Sequence, residues 1–385
     1  MVEGSMTQGA GQGPVERTPT VRDFRVPAYM PQPEAFADGA EPYAGEGDRY
    51  ADAAQAYAER QAPEAVAQPE AAPAAGPEAP RVPLDEDYTP TQRDLPVIGS
   101  QPEPAPEPSA SGLGPLYVVG DVHGYLDALV AALQEQGLLD EEARWAAGNA
   151  RLWFLGDFTD RGPDGIGVID LVMRLSAEAA AAGGYCKALM GNHELLLLGA
   201  RRFGDTPVSS GAGTATFQAA WLLNGGQKTD MDRLQDVHLQ WMSRLDAIVE
   251  EDEHLLVHSD TTAYLDYGST IEAVNDTIHD VLTRNDPDEC WDLFRKFTKR
   301  FAFRDERTGP EAVRELLDTF GGSRIVHGHS PIPYLLGDVG SEDGEEIQRP
   351  VIEDPHIYAD RLAVAMDGGV TMAGTLLVRQ VPFPA

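Results

Sequence analysis

Short apolar runs that stop at a glycine or a charged residue alternate along this chain with longer stretches carrying an apolar residue every third or fourth position. Tyr117-Val-Val119, Leu152-Trp-Phe-Leu155, Ala188-Leu-Met190, Leu255-Leu-Val257 and Ile325-Val326 are too short for helices and rich in β-favouring side chains, so each predicts a buried strand. Between the first two, Leu126, Leu129, Val130 and Leu133 form one helical face that ends at Gly137, and a second helix is expected from Ile166 to about Ala182. Asp121 and Asp157 lie roughly 35 residues apart, as do Asp157 and Asn192, which is the length of one right-handed βαβ unit. The early half therefore predicts βαβαβ with its loops on one edge.

Further along, Leu195 to Trp241 reads as helix interrupted by glycine. Gly204 to Gly213 is expected to be a flexible loop over the site, and Trp221-Leu-Leu223 to be core before an Asn224-Gly-Gly226 turn. Ala247-Ile-Val249 and Leu255-Leu-Val257 predict a hairpin across Glu251-Asp-Glu253. Helices are expected at Ile271–Leu282, Asp288–Arg300 and Glu311–Phe320, and a closing hairpin is expected between Leu362–Met366 and Thr375–Val378 around Gly368-Gly369. The pattern predicts one mixed α/β domain over residues 113–385.

Residues 1–112 break this pattern. They are rich in Pro, Ala, Glu, Gly and Gln, with runs such as Pro63-Glu-Ala65 and Pro77-Glu-Ala-Pro80. So little apolar surface cannot offset roughly 1–2 kcal/mol of backbone entropy per residue, so a disordered acidic tail is expected, able to keep the protein soluble or to dock a partner. The formal net charge of −34 opposes binding to nucleic acid and to anionic membranes. No apolar stretch approaches the roughly 20 residues of a membrane span, and the N-terminus lacks a secretory pattern. Two cysteines, Cys186 and Cys290, make no disulfide framework, so a cytoplasmic protein is expected.

Chemistry enters at the strand ends. Gly120 stops the first strand and delivers Asp121 and His123 into the loop past its carboxyl end, where open α/β sheets bind ligands. Carboxylate and imidazole two apart suit a divalent ion, although alone they could equally be an Asp turn beside a surface His. The other strands end in the same way. Gly156-Asp157-Phe-Thr-Asp160-Arg161-Gly162 follows the second, Gly191-Asn192-His193-Glu194 the third, His258-Ser-Asp260 the fourth and His327-Gly-His329 the fifth. Five such ends point to one shared site.

In this order, Gly-Asp-x-His-Gly, Gly-Asp-x-x-Asp-Arg-Gly and Gly-Asn-His-Glu resemble the signature of the calcineurin-like metallophosphoesterases, and within them the phosphoprotein phosphatase branch. Trp221-Leu-Leu-Asn-Gly-Gly226, His258 followed by a small residue and Asp260, and Gly328-His-Ser-Pro331 are similar to segments of the bacterial and phage serine/threonine phosphatases. The resemblance spans about Leu116 to Val381 and implies an αββα sandwich. It implies two divalent metal ions, manganese first and iron or zinc as alternatives. Asp121 and His123 would hold one, Asn192, His258 and His329 the other, and Asp157 both. Metal-activated hydroxide would attack the phosphorus. His193 would protonate the leaving oxygen, and Asp160 would fix its tautomer. Arg161 would fork onto the phosphoryl oxygens, helped by a second arginine, Arg304, with Arg300 and Arg307 as rivals.

The implied reaction is hydrolysis of phosphomonoesters, protein phosphoserine and phosphothreonine first. The alternatives are a dinucleoside polyphosphate hydrolase or a non-catalytic phosphoprotein-binding module. Thr159 stands where the family often has Val, and Ser259-Asp260 where it often has Gly-Gly. In the wider superfamily a Gly-His-x-His motif ligates through both histidines, but Val326 precedes His327 here, so His329 alone is expected to ligate.

Overall fold

The computed structural model describes residues 112–210, 213–337 and 352–383. The tail expected over residues 1–112 lies outside them, Gly112 apart.

Strand β1 (Leu116–Val119) leads through helix α1 (Leu126–Glu135) to β2 (Arg151–Phe154), and α2 (Gly165–Ala181) leads to β3 (Tyr185–Ala188). The three strands are parallel and adjacent, which gives the βαβαβ unit its shape. Helices α3 (Asn192–Phe203), α4 (Phe217–Leu223), α5 (Lys228–Arg233) and α6 (Asp236–Met242) follow, with the short pair β4 (Val208–Ser210) and β5 (Gly213–Ala215) between the first two. The antiparallel hairpin β6 (Ile248–Glu251) and β7 (His254–Val257) opens a second sheet. Helices α7 (Ile271–Arg284), α8 (Pro287–Phe297) and α9 (Gly309–Phe320) precede β8 (Arg324–His327), α10 (Ile332–Leu335), β9 (His356–Tyr358), β10 (Ala363–Ala365) and β11 (Val378–Val381).

The strands form a four-stranded sheet ordered β11-β1-β2-β3 and a five-stranded sheet ordered β6-β7-β8-β10-β9. Side chains alternate across a strand, so each strand serves two cores. Leu116, Val118, Trp153, Leu155, Leu256, Val326 and Val364 join the core between the sheets. Their neighbours Val119, Leu152, Phe154, Leu255, Val257, Ile325 and Ala363 join the core beneath the helices. Two sheets packed on one another with helices outside make the αββα sandwich. Strands buried on both faces also explain why their sequence reads as continuous apolar runs.

Three local expectations are corrected. The third strand is Tyr185–Ala188, earlier than Ala188–Met190, because it is the sheet's edge and exposes Lys187; Leu189 makes only an isolated bridge to Asp246. Gly204–Gly213 is not simply a loop, since Val208–Ser210 pairs with Gly213–Ala215 and Ser209 N donates to Asp288 Oδ1 at 2.8 Å. The closing hairpin does not form. Ala363–Ala365 runs beside β8 in the second sheet, whereas Val378–Val381 pairs with β1 in the first. Period-two patterning identifies a strand but not its partner, and here Gly369 and Ala373, both left-handed, carry the chain from one sheet to the other.

Candidate active site

All the parallel strands discharge at one end of the sandwich. Asp121 follows β1, Asp157 follows β2, Asn192 follows β3, His258 follows β7 and His329 follows β8, and all are buried. The loops turn immediately, and His123 (φ 48°), Asp157 (φ 55°), Asp160 (φ 68°), Arg161 (φ 65°) and His329 (φ 62°) all sit on left-handed backbone. That conformation costs non-glycine residues of order 1–3 kcal/mol each and clusters where side chains are held for function. Gly156 allows the convergence: a Cβ there would lie 2.7 Å from Gly191 N and 3.0 Å from His258 Nδ1.

Asp157 sits at the centre. Its carboxylate belongs with His123 and His193 to one group of donors within 4.8 Å of one another, and with His258 and His329 to a second. Burial opposes its ionisation, but the imidazoles of His258, His193, His123 and His329 around it hold it below the ordinary carboxylate range. Three histidines present one ring nitrogen inward by fixing the other on a backbone carbonyl. His123 Nδ1 donates to Thr159 O (3.1 Å), His258 Nδ1 to Leu155 O (2.9 Å) and His329 Nε2 to Thr298 O (3.1 Å). That arrangement orients metal-ligating imidazoles, and burial pushes all three toward the neutral form a metal requires.

His258 Nε2 then faces Asn192 Oδ1 at 2.9 Å and Asp157 Oδ1 at 3.3 Å, acceptor against acceptor, which a cation resolves. His329 Nδ1 is buried without a partner among the described residues. These residues fit two divalent ions sharing one carboxylate, and their oxygen and nitrogen donors without thiolate suit a transition metal. Asp121 stands apart from both donor groups. Its oxygens accept His329 N–H at 3.0 and 2.9 Å, and its Oδ2 lies 3.9 Å from His123 Nε2. Burial, with Asp367 and Asp157 nearby, raises it well above the usual carboxylate range, and an adjacent cation would reverse that.

His193 is wired differently. Its Nδ1 donates to a carboxylate, Asp160 Oδ2 at 2.7 Å, and Trp221 Nε1 holds Asp160 Oδ1 at 2.7 Å. Arg161 reaches over both inner histidines, donating to His123 Nε2 (2.9 Å) and His193 Nε2 (3.1 Å). Its own backbone N–H is anchored on Gly225 O at 2.7 Å, which explains the Asn-Gly-Gly turn. Glu194 stays off the cluster and accepts the N–H groups of Asp157, Phe158 and Gly191 at 2.8 to 3.1 Å.

The second arginine beside the cluster is Arg300. Its Nη1 donates to His329 O at 2.5 Å, whereas Arg304 is exposed over the Phe301 ring. Arg307 is exposed as well. His327 turns away, with Nδ1 on Gly328 O (2.8 Å) and Nε2 on Tyr358 OH (2.7 Å). Asp367, unassigned from the sequence, is buried at the end of β10 with its backbone N 3.4 Å from where a Gly120 Cβ would stand. Its only sequence signal is that it follows a strand, as the other site residues do.

The model of the family described as calcineurin-like phosphoesterase matches residues 114–333. Shewanella-like protein phosphatase 2 of Arabidopsis thaliana is 35% identical over 81 residues, 21% of this chain and 21% of that protein. An asymmetrical bis(5'-nucleosyl)-tetraphosphatase of Oceanobacillus iheyensis is 41% identical over 76 residues, 19% of this chain and 30% of that one. The chain thus spans a third or less of the length of these curated relatives. A solved cold-active protein tyrosine phosphatase superposes with a TM-score of 0.50 at 19% identity, covering 70% of this chain and 74% of its own, which shows the fold.

Proposed function

The chain belongs to the calcineurin-like phosphoesterase family, and from that membership we propose that it is a metal-dependent hydrolase of phosphomonoesters, protein phosphoserine and phosphothreonine first, in the phosphoprotein phosphatase branch. The observation that carries the reading is the Trp221–Asp160–His193 chain beside Arg161. An alkyl phosphate has a poor leaving group and needs a proton delivered to it. Asp160 holds the Nδ1–H of His193, so the ring, once protonated, would present its Nε2–H on the side of Arg161, where the ester would sit, and return to the neutral Nδ1–H form on giving that proton up. Asp121, His123 and Asp157 would hold one divalent ion and Asp157, Asn192, His258 and His329 the other. When bound, the pair activates water and neutralises the phosphoryl oxygens. Arg161 and Arg300 would take the remaining phosphoryl oxygens, and Glu194 keeps the Asp157 and Asn192 loops in register. The stretch shared with a plant protein phosphatase supports a protein substrate.

A second reading, hydrolysis of dinucleoside polyphosphates, is favoured by the stretch shared with a bacterial tetraphosphatase. Manganese-reconstituted protein assayed on a phosphopeptide panel beside diadenosine tetraphosphate decides between them. Turnover of phosphoserine and phosphothreonine peptides is expected. Turnover of the nucleotide alone would replace the first reading by the second.

A further inference from the structure

Asp260 is fully buried and is a member of neither donor group. Its Oδ1 accepts Ser330 Oγ at 2.6 Å, next to His329. Its Oδ2 accepts Phe301 N at 2.8 Å, next to Arg300, and its backbone carbonyl accepts Ala302 N at 3.1 Å. Phe301 has φ 67°, a conformation that a bulky side chain adopts only when its surroundings impose it. The two loops so held also meet each other through the bond from Arg300 Nη1 to His329 O, 2.5 Å long.

We infer that Asp260 is a positioning residue that sets Arg300 and His329 together, by clamping the left-handed Phe301 turn with one carboxylate oxygen and the His329–Ser330 loop with the other. Arg300 follows α8, and the turn after it, which Asp260 holds, directs where its guanidinium goes. Asparagine keeps both arms in altered form, accepting from Phe301 N and donating to Ser330 Oγ. Alanine keeps neither. The inference rests on the proposed roles of Arg300 and His329, but its readout, binding of inorganic phosphate, does not depend on which ester is hydrolysed.

Full-length protein reconstituted with manganese would be titrated calorimetrically with inorganic phosphate as wild type, Asp260→Ala, Asp260→Asn, Arg300→Ala and Asp260→Ala/Arg300→Ala. Hydrogen bonds to charged groups contribute enough that Asp260→Ala is expected to weaken phosphate binding about tenfold or more, with Asp260→Asn recovering most of the loss. At saturating manganese the double variant is expected to match Arg300→Ala within about twofold, because the Ser330 arm then no longer limits and the side chain through which Asp260 reaches phosphate is already gone. Unchanged phosphate affinity in Asp260→Ala, or losses that multiply in the double variant, would overturn the inference. If Asp260→Ala does not fold, Ser330→Ala cuts one arm only. It is expected to lower manganese affinity while leaving phosphate binding intact at saturating manganese, and no change in either, or equal loss of both, contradicts the two-armed clamp.

Discussion

His193 and His329 are buried imidazoles in one cluster, yet their second nitrogens give them different chemistry, one on a carboxylate and the other on a carbonyl. His193→Asn is therefore expected to keep its metals while losing proton delivery. The fall in kcat should be about 10²–10⁴-fold on phosphoserine and smaller on p-nitrophenyl phosphate, whose leaving group barely needs a proton. Equal losses on both substrates would make His193 a ligand or a water-orienting group. His329→Ala is expected to abolish activity and loosen one metal, and His327→Ala to be milder, since Tyr358 and Gly328 already occupy that ring. Metal content and turnover of the two variants check this. Of the proposed ligands, Asp121, His123, Asp157, Asn192 and His329 each flank a glycine past a strand end, which made them legible, and His258 was legible from its strand end alone. Arg300 and Asp367 were not. Choosing Arg300 over Arg304 depends on the backbone turn at Phe301, and a lone Asp before Gly368 reads as a turn residue. The thiols are simpler. Burial raises Cys186 and pushes Cys290 up to about 11. Both should resist alkylation near about pH 8 in the folded protein and react in urea, and because the folded state then holds more protons, stability falls as pH rises from the ordinary thiol range toward the raised value.

Among the elements, those made by local pattern, the β6–β7 hairpin included, were readable, and those paired across the whole domain were not. The βαβαβ unit follows from helical and strand periods joined by short turns, and α7 and α8 carry their own caps in Thr270 and Asp286. The partners of β10 and β11 are chosen across the whole domain, so the expected hairpin was a reasonable local reading with the wrong outcome. The start of α2 shows the same dependence on distant residues. Asp164 caps it locally through Gly167 N at 2.7 Å, but the N–H groups of Gly165 and Ile166 donate to buried Asp230 Oδ1, at 3.0 and 3.2 Å. Asp230→Ala leaves those donors buried without an acceptor and is expected to cost about 1–3 kcal/mol. A lower urea midpoint at unchanged slope would show it, and an unshifted midpoint would contradict it.

For the molecule as a whole, a strongly acidic chain must supply its local positive charge from a few arginines and, as proposed, from metal, and the buried carboxylates Asp121, Asp157, Asp160 and Asp367 make that requirement local. No helix among the described residues is long and apolar enough to cross a membrane. Every residue assigned to the site lies between Asp121 and Asp367, so removing residues 1–110 is expected to leave turnover of p-nitrophenyl phosphate nearly unchanged; loss of most activity would give the N-terminal segment a part in the fold or the site. The two donor groups share a single residue, and that sharing is the centre of the account. Measuring bound manganese in wild type and Asp157→Asn, alongside turnover, tests it most directly. Two ions per chain in the wild type, with metal and activity lost together in the variant, is the predicted result. An Asp157→Asn protein that keeps both ions and hydrolyses phosphate esters at the wild-type rate would contradict it.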